Sequence, residues 1–244
     1  MNKKSNWQEL KNIIDEKGIK KLYHFTDRDN LESIIKNGGL YSWADCDEKG
    51  IVIPKPGGES LSRSLDTRDG LQHYVRVSFV KDHPMMFVAM NEHRISNPVV
   101  LEIDPEVVWW QDSLYCNKNV TRNDASYGGS VEHFKQVHFD TVLKNRYFDL
   151  AEEERPFYNA EVMVKNFIPI QYITNIGNFG YIIPSNSNKM QTKTPYTAQI
   201  TRNTPTAFIF MIDQSVSMQK ETQLYGETMA MSEAVARIVN HQIN

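Results

Sequence analysis

Cysteine is nearly missing from this chain. Its 244 residues hold two, Cys46 and Cys116, far apart and in no CxxC pair. That excludes a thiolate zinc site and a disulfide framework, and it fits a reduced, cytoplasmic setting. Long apolar runs are also missing: none approaches the roughly 20 residues that a membrane span needs. The stretch from Met1 to Trp7 is polar and leads into a helical pattern, unlike the apolar core of a signal peptide. There is no glycine-rich phosphate loop and no dinucleotide fingerprint, which argues against a hydride transferase with a resident cofactor. Histidine zinc motifs are absent too, because His133 and His138 are spaced by five, off the same-face spacing of an HExxH helix, and Glu92-His93 has no visible partner. A net charge of −3 sets up no global field for a polyanion, so any nucleic-acid contact must come from a local patch.

What remains is an ordinary globular composition, 40% hydrophobic and 11% aromatic, enough for one large domain or a medium domain with a further piece. Trp7, Leu10, Ile13 and Ile14 recur at helical spacing over residues 6–17, and Gly18 ends that helix. Lys21 to Thr26 reads as a strand; Asp27 or Asp29 then caps a helix that presents Leu31, Ile34 and Ile35. Residues 41–70, polar and punctuated by Pro54, Pro56, Gly57 and Gly58, read as a long functional loop. Strands are expected at 74–80, 98–103 and 160–164, with a further one after Pro169; Met85 to Met90 reads as either strand or helix. Residues 111–130 are irregular, and 133–150 partly helical. Helix and strand at the start, then strands joined by long loops, make an α+β pattern rather than a βαβ alternation.

Four short pieces in order carry the chemistry. The first is Tyr23-His24-Phe25-Thr26 with Asn30-Leu31 and Asn37-Gly38-Gly39-Leu40. The second is an arginine-bearing stretch from Ser62 to Arg68. The third is His73-Tyr74-Val75 with Phe79 and His83-Pro84-Met85, and the fourth Asn159-Ala160-Glu161-Val162-Met163-Val164 with Ile168-Pro169. Singly, each has a bland reading: His24 as a satisfied core histidine, Glu161 as a solvent-facing strand residue, Arg63 and Arg68 as solvated arginines. Together, over residues 20–178, they resemble the DarT family of DNA ADP-ribosyltransferases.

The resemblance implies an ADP-ribosyltransferase fold, two packed antiparallel-rich sheets with flanking helices around a cleft for NAD⁺, which is consumed as a substrate. It implies Glu161 as the catalytic carboxylate, able to stabilise an oxocarbenium-like ribose and to take the acceptor's proton. His24, Thr26 and Asn30 are expected to contact NAD⁺, and Arg63, chosen over Arg68, to steady it with a guanidinium fork. Residues 111–158 fall where the acceptor is chosen. There Lys118, Arg122, Lys144 and Arg146 with Tyr115 and Tyr127 suit an unpaired base in single-stranded nucleic acid. Arg76-Val77-Ser78 departs from the family, where a proline and aromatics often follow the Tyr-Val step; this bears on the acceptor. Such enzymes serve as toxins or anti-phage effectors and are commonly paired with a macrodomain antitoxin. Alternatives are modification of RNA or protein, or an inactive fold used as a binding module.

After Ile183 the composition shifts. The expected domains are 1–180 for the transferase, 181–204 as a linker, and 205–244 as a segment resembling the start of a von Willebrand factor A domain. There Ala207 to Ile212 reads as a buried strand, and Met229, Met231, Val235 and Ile238 mark a helix. Asp213, Ser215 and Ser217 are expected to form part of a Mg²⁺ site, with the remaining ligand loops of that fold missing from this sequence.

Overall fold

The computed structural model of the chain describes residues 1–144, 146–180, 221–224 and 227–230. The chain divides into two compact units, Met1–Asn186 and Ser187–Asn244.

In the first unit, helix α1 (Trp7–Glu16) buries Leu10 and Ile14, each contributing about 2 kcal/mol of apolar burial. Gly18 takes φ 66° after it, which lets the Ile19 N–H return to the Ile14 carbonyl and close the helix end. Strand β1 (Leu22–Asp27) follows. The Asp27 carboxylate accepts from the Asp29 N–H (3.0 Å) and from Ser96 and Asn97 N–H (2.6 and 2.9 Å), so it pins the end of β1 to the turn before a later strand. Helix α2 (Leu31–Lys36) and strand β2 (Gly39–Tyr41) come next. Gly39 has φ 149°, and a Cβ there would stand 2.1 Å from the Ile168 carbonyl oxygen, so only glycine permits this backbone approach.

The 41–70 region is not a long loop. It holds α3 (Trp43–Lys49) and α4 (Ser60–Arg68), leaving residues 50–59 as its longest irregular stretch. Ser42 caps α3 by accepting from the Asp45 N–H, and Gly50 closes it in the left-handed conformation. Strand β3 (Tyr74–Ser78), helix α5 (Pro84–Asn91) and strand β4 (Pro98–Ile103) follow. The 85–90 stretch is thus a helix, started by Pro84 at its first turn and capped by His83. Then come β5 (Leu114–Cys116), β6 (Tyr127–Gly128), α6 (Val131–Lys135) and α7 (Phe139–Val142), and finally β7 (Glu161–Lys165) and β8 (Phe167–Pro169). The chain after Pro169 forms a 3₁₀ turn, Ile170–Tyr172, where a strand was expected.

Six strands form one sheet in the order β4-β1-β3-β7-β5-β6, and β2 pairs with β8 in a smaller one. Every pairing is antiparallel. These are the antiparallel sheets with flanking helices that the sequence motifs imply. Val75, Val77, Leu101, Ile103, Val162 and Val164 supply the buried alternation of the large sheet, and Phe79, Tyr115, Phe134 and Phe139 pack as an aromatic cluster in the same core. Cys46 and Cys116 are both free and buried.

In the second unit, β9 (Glu221–Leu224) and β10 (Glu227–Ala230) pair antiparallel. Met229, expected in a helix, therefore lies in a strand; β-branched Thr222 and Thr228, which favour a pleated backbone, fall in the same pair. The strand at 207–212, Asp213, Ser215 and Ser217, and the remainder of that helix lie outside the described residues. Among the described residues no helix is long and apolar enough to cross a membrane.

Candidate active site

The site arises from a fault in the large sheet. Strand β1 pairs with β4 along all six of its residues, and β3 with β7 along all five, yet β1 and β3 share only the register pair Tyr23–Ser78. Beyond that pair the strands part. The gap is bridged by a side chain: His24 donates its Nδ1–H to the Arg76 carbonyl at 2.7 Å. A cavity of about 390 Å³ opens on this wedge, lined by residues of β1, β2, β3, α3, α4 and the start of β7.

Glu161 stands at the head of β7, directly opposite Ser78 on one side and Cys116 on the other. It is 8% exposed. Its Oε1 accepts the Val120 N–H at 2.8 Å, and the Arg76 Nη1 lies 3.7 Å from the same oxygen. Oε2 has no partner among the described residues. Burial pushes the Glu161 carboxyl up from its ordinary range, while the Arg76 charge and the Val120 amide pull it back down.

His24 and Thr26, two apart on β1, both line the cavity, as same-side strand positions should. Burial holds the His24 ring below its usual range, so it is neutral. With Nδ1 donating to a carbonyl, its Nε2 is a lone-pair acceptor. Asn30 also lines the cavity, but its polar groups are largely committed. Its Nδ2 donates to Thr26 Oγ1 (2.9 Å) and to the Lys55 carbonyl (2.7 Å), and its Oδ1 accepts the Lys55 N–H (2.8 Å). It holds the 50–59 segment over the cavity and has one lone pair left for a ligand.

Of the two candidate arginines, Arg63 lines the cavity and Arg68 does not. The Arg63 guanidinium lies 5.1 Å over the Trp43 ring and 3.8 Å from Asp47. Arg68 is turned to the surface, forked onto Asp69 at 2.8 and 2.9 Å. Motif reading missed Arg76. It is the guanidinium beside Glu161, and it also grips Asp66, whose second oxygen accepts from Trp43 Nε1 at 3.2 Å. The alternation Tyr74, Arg76, Ser78 against buried Val75 and Val77 is the signal that would have found it, because one polar face of a strand beside the Glu161 strand must meet that carboxylate.

The residues expected to meet an acceptor are unevenly placed. The connection between β5 and β6 brings Asn119 and Thr121 to the cavity, next to the Val120 amide that holds Glu161. Tyr115 cannot stack on a base: it is fully buried, and its hydroxyl donates to the Val108 carbonyl, so its ring belongs to the core. Tyr127 is 39% exposed. Lys118 and Arg122 are both bound to Asp124 at 2.7 and 2.8 Å, and Lys144 to Glu154 at 2.7 Å. Arg146 is exposed.

Residues 23–194, well over half of the chain, match the family model described as DarT, an ssDNA thymidine ADP-ribosyltransferase. Among solved structures, the DarT of Thermus sp. 2.9 in complex with ADP-ribosylated ssDNA superposes with a TM-score of 0.52 at 16% identity, covering 64% of this chain and 79% of that one. The DarTG of Thermosipho africanus in complex with ADP-ribose gives 0.53 at 17% identity, covering 63% of this chain and 42% of that one. At such identities the likeness speaks to the fold alone. No curated protein matches the chain in sequence.

Proposed function

This chain belongs to the DarT family of ssDNA thymidine ADP-ribosyltransferases, and from that premise we propose that Glu161 drives the transfer of ADP-ribose from NAD⁺ to a thymidine base at the wedge between β1 and β3. The bond from ribose C1′ to the nicotinamide nitrogen breaks, and its electron pair leaves with nicotinamide, which becomes neutral. C1′ carries developing positive charge until an atom of the base bonds to it. A carboxylate aimed at that point stabilises the charge and takes the proton that the base gives up. The observation that carries this assignment is the state of Glu161: buried, fixed through Oε1 by the Val120 amide, with Oε2 unpartnered in a cavity. His24 Nε2 suits a ribose hydroxyl as donor, and Arg63 suits the pyrophosphate, whose charge a guanidinium matches with paired N–H groups. A cavity of about 390 Å³ is within the range that holds cofactor-sized ligands. A thymidine in duplex DNA must be extruded at a cost of a few kcal/mol, so a single strand is the natural acceptor.

The role we propose is that of a toxin, with a macrodomain partner that removes the mark. The test is incubation with labelled NAD⁺ and separate pools of thymidine-containing single strands, matched thymidine-free strands, duplex DNA, RNA and cell protein. Label confined to the thymidine-containing single strands, and released by a macrodomain hydrolase, is the expected result. Label on protein alone, or equal label on duplex and single strands, overturns the acceptor assignment.

A further inference from the structure

Resting on the reading of Glu161 above, we propose that Arg76 is a positioning residue that keeps the Glu161 carboxylate ionised and aimed into the cavity, and that Asp66 opposes it, tuning the same carboxylate from helix α4. Three observations carry this. First, register: Arg76 lies opposite Met163 and Ser78 opposite Glu161, so Arg76 and Glu161 are diagonal neighbours on one face of β3 and β7, within reach of a long side chain. Second, contact: one guanidinium nitrogen lies 3.7 Å from Glu161 Oε1 while the other binds Asp66. Third, exclusion of water: the Asp66 and Glu161 side chains are 9% and 11% exposed and Arg76 25%, so their charges are weakly screened.

One cation between two carboxylates leaves a net negative charge. That is the sign an oxocarbenium-like ribose requires. The closer grip on Asp66 and the looser one on Glu161 divide the labour: Asp66 holds the guanidinium in place, and Glu161 keeps enough of its charge to act. The same residue also sets His24, since the Arg76 carbonyl takes the His24 Nδ1–H.

Among the described residues, few groups face Glu161. From β3 comes Arg76, which favours the anion; from α4 comes Asp66, which disfavours it. From β5 comes Cys116, whose thiol is pushed up to about 12 by burial and is therefore neutral. The β5–β6 connection offers the uncharged Val120 amide, and β1 the neutral His24. Changes at Arg76 and Asp66 should therefore move the Glu161 titration in opposite directions.

The experiment measures kcat against pH with NAD⁺ and a thymidine-containing single strand for wild type, Arg76→Gln, Arg76→Lys and Asp66→Asn. Alongside it, the Glu161 side-chain carboxyl is titrated by NMR in the free proteins. In Arg76→Gln the acid limb and the carboxyl titration should both rise by about one pH unit or more. Neutral-pH kcat should fall roughly tenfold to a hundredfold, recovering in part as pH is raised, while KM for NAD⁺ moves little. Arg76→Lys should return the limb towards wild type. Asp66→Asn removes the opposing charge while its one oxygen can still accept from the Arg76 guanidinium, at the cost of the Trp43 hydrogen bond, and should lower the limb. A wild-type titration in Arg76→Gln, or an upward or absent shift in Asp66→Asn, overturns the proposal; the second variant decides if the first does not fold. Wild-type protein that transfers nothing overturns the functional reading instead, and the carboxyl titration still decides the Arg76 link.

Discussion

The two sides of the cavity are built on opposite electrostatic terms. On the strand side, charge is buried and left partly unspent: Glu161 has a free oxygen, and Arg76 is shared between two carboxylates. In the segment where the acceptor was expected, charge is already spent, since Asp124 holds both Lys118 and Arg122, and Glu154 holds Lys144; Arg122 and Asp124 are about half exposed, while Lys118 is largely buried. Buried charges acting on a forming cation are weakly screened and strong; exposed pairs are worth little and yield readily. Under the proposed function, the contrast would give bond-breaking power to the strands and a light, salt-sensitive grip on the acceptor to the loops. It also accounts for a chain of net charge −3 with a nucleic-acid acceptor.

Removing the Glu161 charge should have the largest effect. Glu161→Gln keeps shape and the Val120 hydrogen bond but removes the negative charge. Turnover should fall by about a hundredfold or more, with NAD⁺ affinity nearly unchanged, because the interaction is needed in the transition state rather than the ground state. Single-turnover transfer together with calorimetric NAD⁺ binding measures both; near-normal transfer would remove Glu161 from the mechanism.

Acid sensitivity should come from the start of helix α5. His83 caps α5, accepting the Met85 N–H, and burial depresses its ring to about 4. An unfolded histidine titrates near 6.5. The unfolded state therefore binds the extra proton first as pH falls, and the contribution of this group to stability, complete above about 6.5, is lost down to about 4. The loss amounts to about 3 kcal/mol. Asn in its place keeps a capping oxygen and cannot be protonated, so His83→Asn should flatten the dependence of the denaturation midpoint on pH in that window. An unchanged slope would mean that other groups govern acid sensitivity.

Arg63 should matter less, and to NAD⁺ binding. Arg63→Gln should raise KM for NAD⁺ about tenfold, the loss of one charge-assisted contact, whereas Arg68→Gln, outside the cavity and paired with Asp69, should leave it unchanged. Matched initial-rate series for the two variants read this directly, and equal effects would mean that both arginines reach the substrate.

How legible these features were depended on whether they follow a local pattern. Strand β4 was readable to the residue because Pro98 opens it, Asp104-Pro105 closes it, and Val99, Leu101 and Ile103 alternate between. That Glu161 and His24 share one cavity was readable through motif order. Helices α3 and α4 were not: their polar faces and nearby prolines and glycines look like loop, although Ser42 three residues before Asp45 is a capping signature. Tyr115 was misread because an aromatic residue among polar neighbours looks exposed, and only the packing of β5 against the core shows otherwise. Arg76 was hidden for a different reason. Its meaning depends on β3 pairing with β7 so that Ser78 faces Glu161, and strand register is a long-range property that no local window contains.

The smallest expected effect tests the spent charges. Asp124 accepts from Lys118 at 2.7 Å and from Arg122 at 2.8 Å, and these cations hold its carboxyl well below the usual carboxylate range. Asp124→Asn frees both for phosphate. If the β5–β6 connection tracks a single strand through them, binding should tighten several-fold at low salt. Each new phosphate contact should also steepen the salt dependence by about 0.7 in log–log slope. The fold should lose only about 0–1 kcal/mol through the exposed Arg122 pair, and more through Lys118, whose side chain is 12% exposed. The turnover step should be untouched as well, since Asp124 is no part of the cavity lining. Fluorescence anisotropy of a labelled thymidine-containing strand across a salt series, with and without the substitution, measures the slope. An unchanged slope would mean that Lys118 and Arg122 serve only to brace the loop. Weaker binding would mean that Asp124 itself reaches the base, which would place acceptor choice on the acidic partner rather than on the cations it holds.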